Sequence, residues 1–213
     1  MQLNTDGVTV LLPRGSRPQY NKICEDWQKQ VALQLEFADY SKMVIRDVNN
    51  YIAVYTDGKV KRKGAYQYEG LGWHQDQGGR IVAMAAEAAI LHGADLYEFI
   101  SNHEDKYDFM LRTKVPRSSK LVQVFADGSE VQQQNICRYY ACKDGGQLVK
   151  VMPPLYTGEP DRRLGVEIGW NVKVCNDIKH FNYDIDYSYY VEAAKKLLIG
   201  YEEPVVQVVD DYV

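Results

Sequence analysis

The chain has 213 residues, 46 % of them hydrophobic and 25 % charged, which suits an ordinary globular protein of one sizeable domain or two small ones. A net charge of −4 excludes a uniformly basic nucleic-acid binder, although a local basic groove is compatible with it because binding follows where the charge sits. Cys24, Cys137, Cys142 and Cys175 have no C-x-x-C spacing, so neither a zinc ribbon nor a thioredoxin-like site is indicated, and reduced thiols are the default. No apolar run approaches the length of a membrane span and no signal peptide is recognised, so the expectation is an intracellular protein with no membrane partner.

The first dozen residues read strand, turn, strand: Met1-Gln2-Leu3 leads in, Asn4-Thr5-Asp6-Gly7 makes the corner, and Val8 to Leu12 leads out. A carboxylate at such a tip suits a hard cation, which wants oxygen ligands on a rigid support. Taken alone, the same Asp-Gly is more economically an ordinary turn whose Asp bonds its own backbone. After a Pro/Gly loop at Pro13 to Pro18, the apolar residues Tyr20, Ile23, Trp27, Val31, Leu33 and Leu35 predict an amphipathic helix to about Glu36, with Pro18 in its first turn. Strands are predicted over Phe37 to Val48 and Asn50 to Tyr55. A turn at Asp57-Gly58 then leads to a returning arm, Lys59 to Tyr66. The order β-β-α-β-β-β describes an α+β layer on an antiparallel sheet.

Composition shifts at Gly70-Leu71-Gly72, which sets an expected domain boundary between residues 1–69 and 70–213. Beyond it, Arg80 to His92 predicts an Ala-rich helix stopped by Gly93, and Asp95 caps a second helix over Leu96 to His103. Tyr107 to Val115 reads as extended and Asp127-Gly128 as a turn. Arg138 to Cys142 and Gln147 to Met152 flank Asp144-Gly145-Gly146 as a hairpin. Pro153 to Arg163 is a long loop, and a last helix runs from Asp186 to Ile199, with Lys195 and Lys196 favouring its C-terminal dipole.

The densest basic stretch is Lys59-Val60-Lys61-Arg62-Lys63-Gly64-Ala65-Tyr66. Strand alternation puts Lys59, Lys61 and Lys63 on one face and Arg62 on the other. Three ammonium groups followed by a glycine that permits close approach suit a phosphate backbone; lysines guarding an edge strand against aggregation are an equal alternative. The amide-rich Arg46 to Tyr51 either holds a hairpin by side-chain hydrogen bonds or contacts a ligand. His74, His92, His103 and His180 lack ligand spacing, and Lys173, Lys179, Lys195 and Lys196 read as a solvated face.

The ordered series is more informative than any one part. A Thr5-Asp6 hairpin is followed by a helix and by Glu36-Phe37-Ala38-Asp39-Tyr40, then by Lys42-Met43-Val44-Ile45-Arg46-Asp47-Val48-Asn49-Asn50-Tyr51-Ile52-Ala53, then by Gly58 to Tyr66. This resembles the carboxy-terminal part of family B DNA polymerases, most of all the divergent versions encoded by bacteriophages. Arg138-Tyr139-Tyr140 and the stretch Ile185 to Ala194 look like the thumb of those versions. The resemblance covers about residues 1–200 and is strongest up to Tyr66.

It implies an antiparallel palm sheet with one helix, then a mixed helical and hairpin thumb that wraps the product duplex. Asp6 would be a catalytic, metal-binding palm carboxylate for the Mg2+ ions of two-metal nucleotidyl transfer. Asn4 stands where the family usually has another Asp, and an amide is the poorer ligand. Lys61, Arg62, Lys63 and Tyr66, with Lys59 beside them, would grip primer-template DNA without reading its sequence. The family's other palm carboxylate and its nucleotide-binding lysine have no counterpart in these residues. Polymerisation is therefore expected only with an amino-terminal polymerase fragment that supplies them, in the host cytoplasm if the chain is phage-encoded. The alternative is a non-catalytic DNA-binding or structural protein with an inert Asp-Gly hairpin. A complete hydrolase ranks last because no nucleophile–base pair is visible.

Overall fold

A computed structural model of the chain describes residues 2–4, 7–72, 76–176 and 183–198. It is an α+β protein, and among the described residues every strand pair is antiparallel. The chain divides into two compact units, one up to Gly64 and one from Ala65, slightly before the glycine-rich stretch near residue 70.

In the first unit, β1 (Gln2–Asn4) pairs with β2 (Gly7–Thr9), Leu3 opposite Val8 and Asn4 opposite Gly7. Helix α1 (Arg17–Val31) carries Pro18 in its first turn, where a missing N–H costs nothing. It ends short of the expected Glu36. Ala32 adopts a left-handed conformation (φ 55°), and the Gln28 side-chain carbonyl accepts the Leu35 N–H at 2.7 Å, folding the chain back over the helix end. Three strands follow as a meander in the order β3 (Tyr40–Asp47), β4 (Asn50–Tyr55) and β5 (Val60–Lys63).

Both meander turns are side-chain-made. The Asp47 carboxylate accepts the Asn49 N–H at 2.9 Å and the Asn50 amide at 2.8 and 2.9 Å. Those bonds, the Asn50 amide foremost, hold the Asp47 pKa below its ordinary value. The amide-rich Arg46 to Tyr51 cluster thus holds its hairpin. Asp57 does the same for Lys59 N–H, with Gly58 at φ 85°. The basic arm is shorter than expected, because Gly64 to Tyr66 forms a 3-10 turn. Gly64 is needed there for a reason internal to the fold: at φ +63°, a Cβ would strike Asn49 O and the Asn50 side chain. Its close approach is to the β3–β4 turn, which corrects the expectation that it opens room for a phosphate.

The second unit opens with α2 (Arg80–His92), closed by Gly93 at φ 67°, whose N–H caps the last carbonyls. Helix α3 (Leu96–Ser101) starts where the Asp95 carboxylate accepts the Glu98 N–H at 2.8 Å. The stretch expected to be extended from Tyr107 is instead a 3-10 turn over Lys106–Phe109, capped by Asp105; only β6 (Leu111–Lys114) is strand. Strands β7 (Lys120–Val124) and β8 (Glu130–Gln133) form a hairpin around Asp127-Gly128.

The hairpin expected at Asp144-Gly145-Gly146 does not exist. Residues Ile136–Met152 are one long strand, β9, and it organises the unit. Its first half lies between β6 and β11 (Val172–Val174), its second between β7 and β10 (Arg162–Val166). The two glycines allow neighbouring backbones in rather than reversing the chain. A Cβ on Gly145 would lie 2.5 Å from Val172 O, and one on Gly146 2.7 Å from Val124 O. Helix α4 (Tyr187–Leu198) completes the unit and packs on α2 and α3. Its Tyr190 is fully buried: the hydroxyl donates to Phe109 O at 2.8 Å and accepts from Ala141 N–H at 3.1 Å. Ile81, Ile100, Phe109 and Tyr140 share its core cluster, and Val115, Leu121 and Val172 form a second cluster with Cys137, Tyr139 and Leu148 of β9. Among the described residues, no helix is long and apolar enough to cross a membrane.

Candidate nucleic-acid interface

The β4–β5 register sorts the basic residues. Tyr51 faces Lys63, Ile52 faces Arg62, Ala53 faces Lys61 and Val54 faces Val60. Alternation therefore puts Lys61 and Lys63 on the face that carries Tyr51, Ala53 and Tyr55, and both lysines are exposed. Arg62 lies on the opposite face, half-buried and engaged by neighbouring groups. This is the division that strand periodicity predicts.

Aromatic rings surround Lys61. Its ammonium stands 5.9 Å from the centre of the Tyr51 ring, and Tyr40 packs on Tyr55 at 4.9 Å across the β3–β4 pair. Partial burial alone would lower the Lys61 pKa, but the oxygens of Tyr40, Tyr51 and Tyr55 outweigh it and the net shift is upward. Lys61 stays charged. Burial, the largest cause, pushes the Tyr40 phenol up as well. These three tyrosines escape a search for basic runs. The signal was present in Tyr51 and Tyr55, whose alternation along β4 puts them on the same face as Lys61 and Lys63.

The remaining expected residues fall elsewhere. Lys59 precedes β5 and its ammonium sits 2.9 Å from Asp57 Oδ2, an exposed pair that neutralises much of its local field. The Asp57 hydrogen bond is the main reason its pKa is raised. Tyr66 belongs to the second unit, is 1 % exposed, and donates its hydroxyl to Leu197 O at 2.8 Å. In this arrangement it presents neither ring nor hydroxyl to solvent. Asp6 lies outside the described residues, as do His74, Lys179 and His180. Among the described residues no group of three or more His, Cys, Asp or Glu side chains could hold a metal ion.

Other polar groups are structural. His103 lies between the rings of Phe99 and Phe109, with Nε2 2.8 Å from Asp108 Oδ2. Asp108 is buried, and Arg80 Nη1 lies 3.1 Å from its other oxygen. Lys173 pairs with Asp184 at 2.7 Å, and Lys195 with Glu192 at 2.8 Å. All four cysteines are buried and free; burial pushes the Cys137 and Cys142 thiols up to about 11, the opposite of an activated nucleophile.

The face of β5 carries two exposed cations beside tyrosine rings. It can hold a polyanion by charge and by ring contact, without a base-reading element. No family model, no curated protein and no solved structure matches the chain.

Proposed function

We propose that this chain is the carboxy-terminal portion of a family B-like, DNA-directed DNA polymerase, working in DNA replication as palm hairpin plus duplex-gripping thumb. The observation that carries the reading is the β-β-α-β-β-β order ending in a strand that sets Lys61 and Lys63 on one exposed, tyrosine-flanked face. Cations in a row beside aromatic rings suit a sugar-phosphate backbone and are indifferent to its sequence. In this reading Lys61 and Lys63 grip primer-template DNA, whereas Lys59 is paired with Asp57, Arg62 lies on the opposite face, and Tyr66 serves the packing of the second unit through its hydroxyl bond to Leu197 O.

Asp6 is proposed as one carboxylate ligand of the Mg2+ site. Such ions, when bound, neutralise charge developing on the phosphates. A single carboxylate does not assemble a two-metal site, so an amino-terminal polymerase portion with the other palm carboxylate and the fingers is part of the proposal. Helix α1 supports such a partner: Ile23, Trp27 and Val31 recur every fourth residue and are 67 %, 42 % and 41 % exposed, an apolar stripe of the kind that docks in a groove. If the chain is phage-encoded, its place is the host cytoplasm.

The test is co-expression with the product of the upstream reading frame, followed by primer extension with wild-type chain and with Asp6→Asn. Extension that needs both chains and is lost with Asp6→Asn is expected. Extension by the purified chain alone, or equal extension with Asp6→Asn, would sink the assignment. One observation favours a second reading, a non-catalytic DNA-binding or structural protein: β5 is an edge strand, where lysines also serve to block strand pairing.

A further inference from the structure

The β6–β9 register brings together two residues that are far apart in sequence. Arg112 and Arg138 are directly opposite one another, and both are exposed. Lys114, two residues along β6, shares their face and is exposed too. The alternate residues Thr113, Cys137 and Tyr139 point inward and are buried. No carboxylate pairs with Arg112, Lys114 or Arg138 among the described residues. The Asn176 side chain near Arg138 accepts only its backbone N–H.

Like charges directly opposite in an antiparallel pair weaken a sheet, so this arrangement is a cost that packing does not explain. Edge protection does not explain it either. Strand β6 is an edge, but Arg138 on β9 is flanked on both sides, by Arg112 of β6 and by the Cys175 N–H, which donates to the Arg138 carbonyl at 2.7 Å just beyond the end of β11. Two guanidinium forks side by side present several N–H donors to one oxyanion, and Lys114 extends the positive field by about 7 Å along the strand. A track of that length suits successive phosphates better than a single small anion.

We propose that Arg112, Arg138 and Lys114 form a phosphodiester-binding track on the second unit, a second nucleic-acid contact besides the lysine face of β5. It deepens the nucleic-acid reading above and rests on it for the class of ligand. The two arginines touch the backbone, carry no sequence preference, and give the thumb-like unit its own grip.

The experiment uses the full chain and a fluorescein-labelled primer-template duplex, titrated at several salt concentrations. Arg112→Gln with Arg138→Gln is compared with Lys61→Ala with Lys63→Ala. The arginine variant is expected to bind more weakly to every duplex sequence and to flatten the salt slope by about 2, one unit per lost phosphate contact. Its melting temperature without DNA should equal or exceed that of wild type, because a repulsive pair is gone. Arg112→Lys with Arg138→Lys keeps the charge and should restore most of the slope but not all the affinity. If the lysine variant weakens binding and the arginine variant does not, the track is refuted and the β5 face stands. If only the arginine variant weakens binding, the β5 assignment fails and the track stands. Absence of duplex binding by wild type, or displacement of the duplex by polyglutamate as readily as by unlabelled duplex, overturns the track as well.

Discussion

Replacing Tyr190 with Phe tests the packing that holds the second unit together. The ring would keep its place against Phe109, whose ring centre is 5.0 Å away in an edge-on arrangement, so no cavity larger than one oxygen is made. What is lost is a hydroxyl that serves two backbone groups at once, Phe109 O and Ala141 N–H, in a wholly buried position. Each would be left unsatisfied away from water, at about 1–3 kcal/mol apiece, so the expected loss is about 2–6 kcal/mol. Urea unfolding followed by near-ultraviolet circular dichroism reads this as a lower midpoint with an unchanged slope. A useful control is Tyr189→Phe. Its hydroxyl donates to Glu167 Oε2, but Glu167 keeps the bond from Tyr139 to its other oxygen, so the cost should be about 1 kcal/mol. A loss below about 0.5 kcal/mol for Tyr190→Phe would refute the bridging role.

The buried phenols and thiols also set a pH limit. Burial is the main cause that raises Tyr139, Tyr140, Tyr189 and Tyr190 above the ordinary tyrosine range and takes Cys137 and Cys142 up to about 11. Groups whose folded pKa is raised contribute stability that is complete below the unfolded pKa and is lost as pH rises past it. The melting temperature should thus hold up to about pH 8.5 and fall beyond it, more steeply above about pH 10; a flat profile from pH 7.5 to 10.5 would contradict the burial of these groups. Gly145→Ala forces a Cβ against the Val172 carbonyl, backbone that cannot yield without loosening the β9–β11 pair, and should cost about 1–3 kcal/mol by thermal or urea unfolding. Trp27→Glu on the exposed stripe of α1 should leave stability within about 0.5 kcal/mol yet abolish co-purification with the upstream product; retained co-purification would remove α1 from the proposed partner surface.

The first unit was legible because its signals are local. Asp57-Gly58 and Asp47 with Asn49 and Asn50 make turns by bonding backbone within three residues, so β4 falls where alternation and turn chemistry put it. Helix α2 was equally clear, being Ala-rich and closed by Gly93. The failures share a cause, which is that long-range contacts reinterpret a local signal. Asp144-Gly145-Gly146 has the composition of a turn, yet it stays extended because Val172 and Val124 press against the two glycines from neighbouring strands. Gly64 reads as open space for a ligand, but that space is taken by Asn49 and Asn50. Tyr66 sits in a basic motif, and only the distant Leu197 carbonyl decides that it is buried. Arg112 and Arg138 carry no shared pattern in sequence. The strand register alone sets them face to face.

The claim that most needs measurement is that the β5 face grips duplex DNA by its lysines. Equilibrium binding of the full chain to a primer-template duplex and to the single strand, at several salt concentrations, measures it directly. Binding should be independent of sequence, tighter to duplex, and salt-sensitive, and Lys61→Ala with Lys63→Ala should flatten the slope of log K against log salt by about 2. An unchanged affinity and slope in that variant would contradict the account.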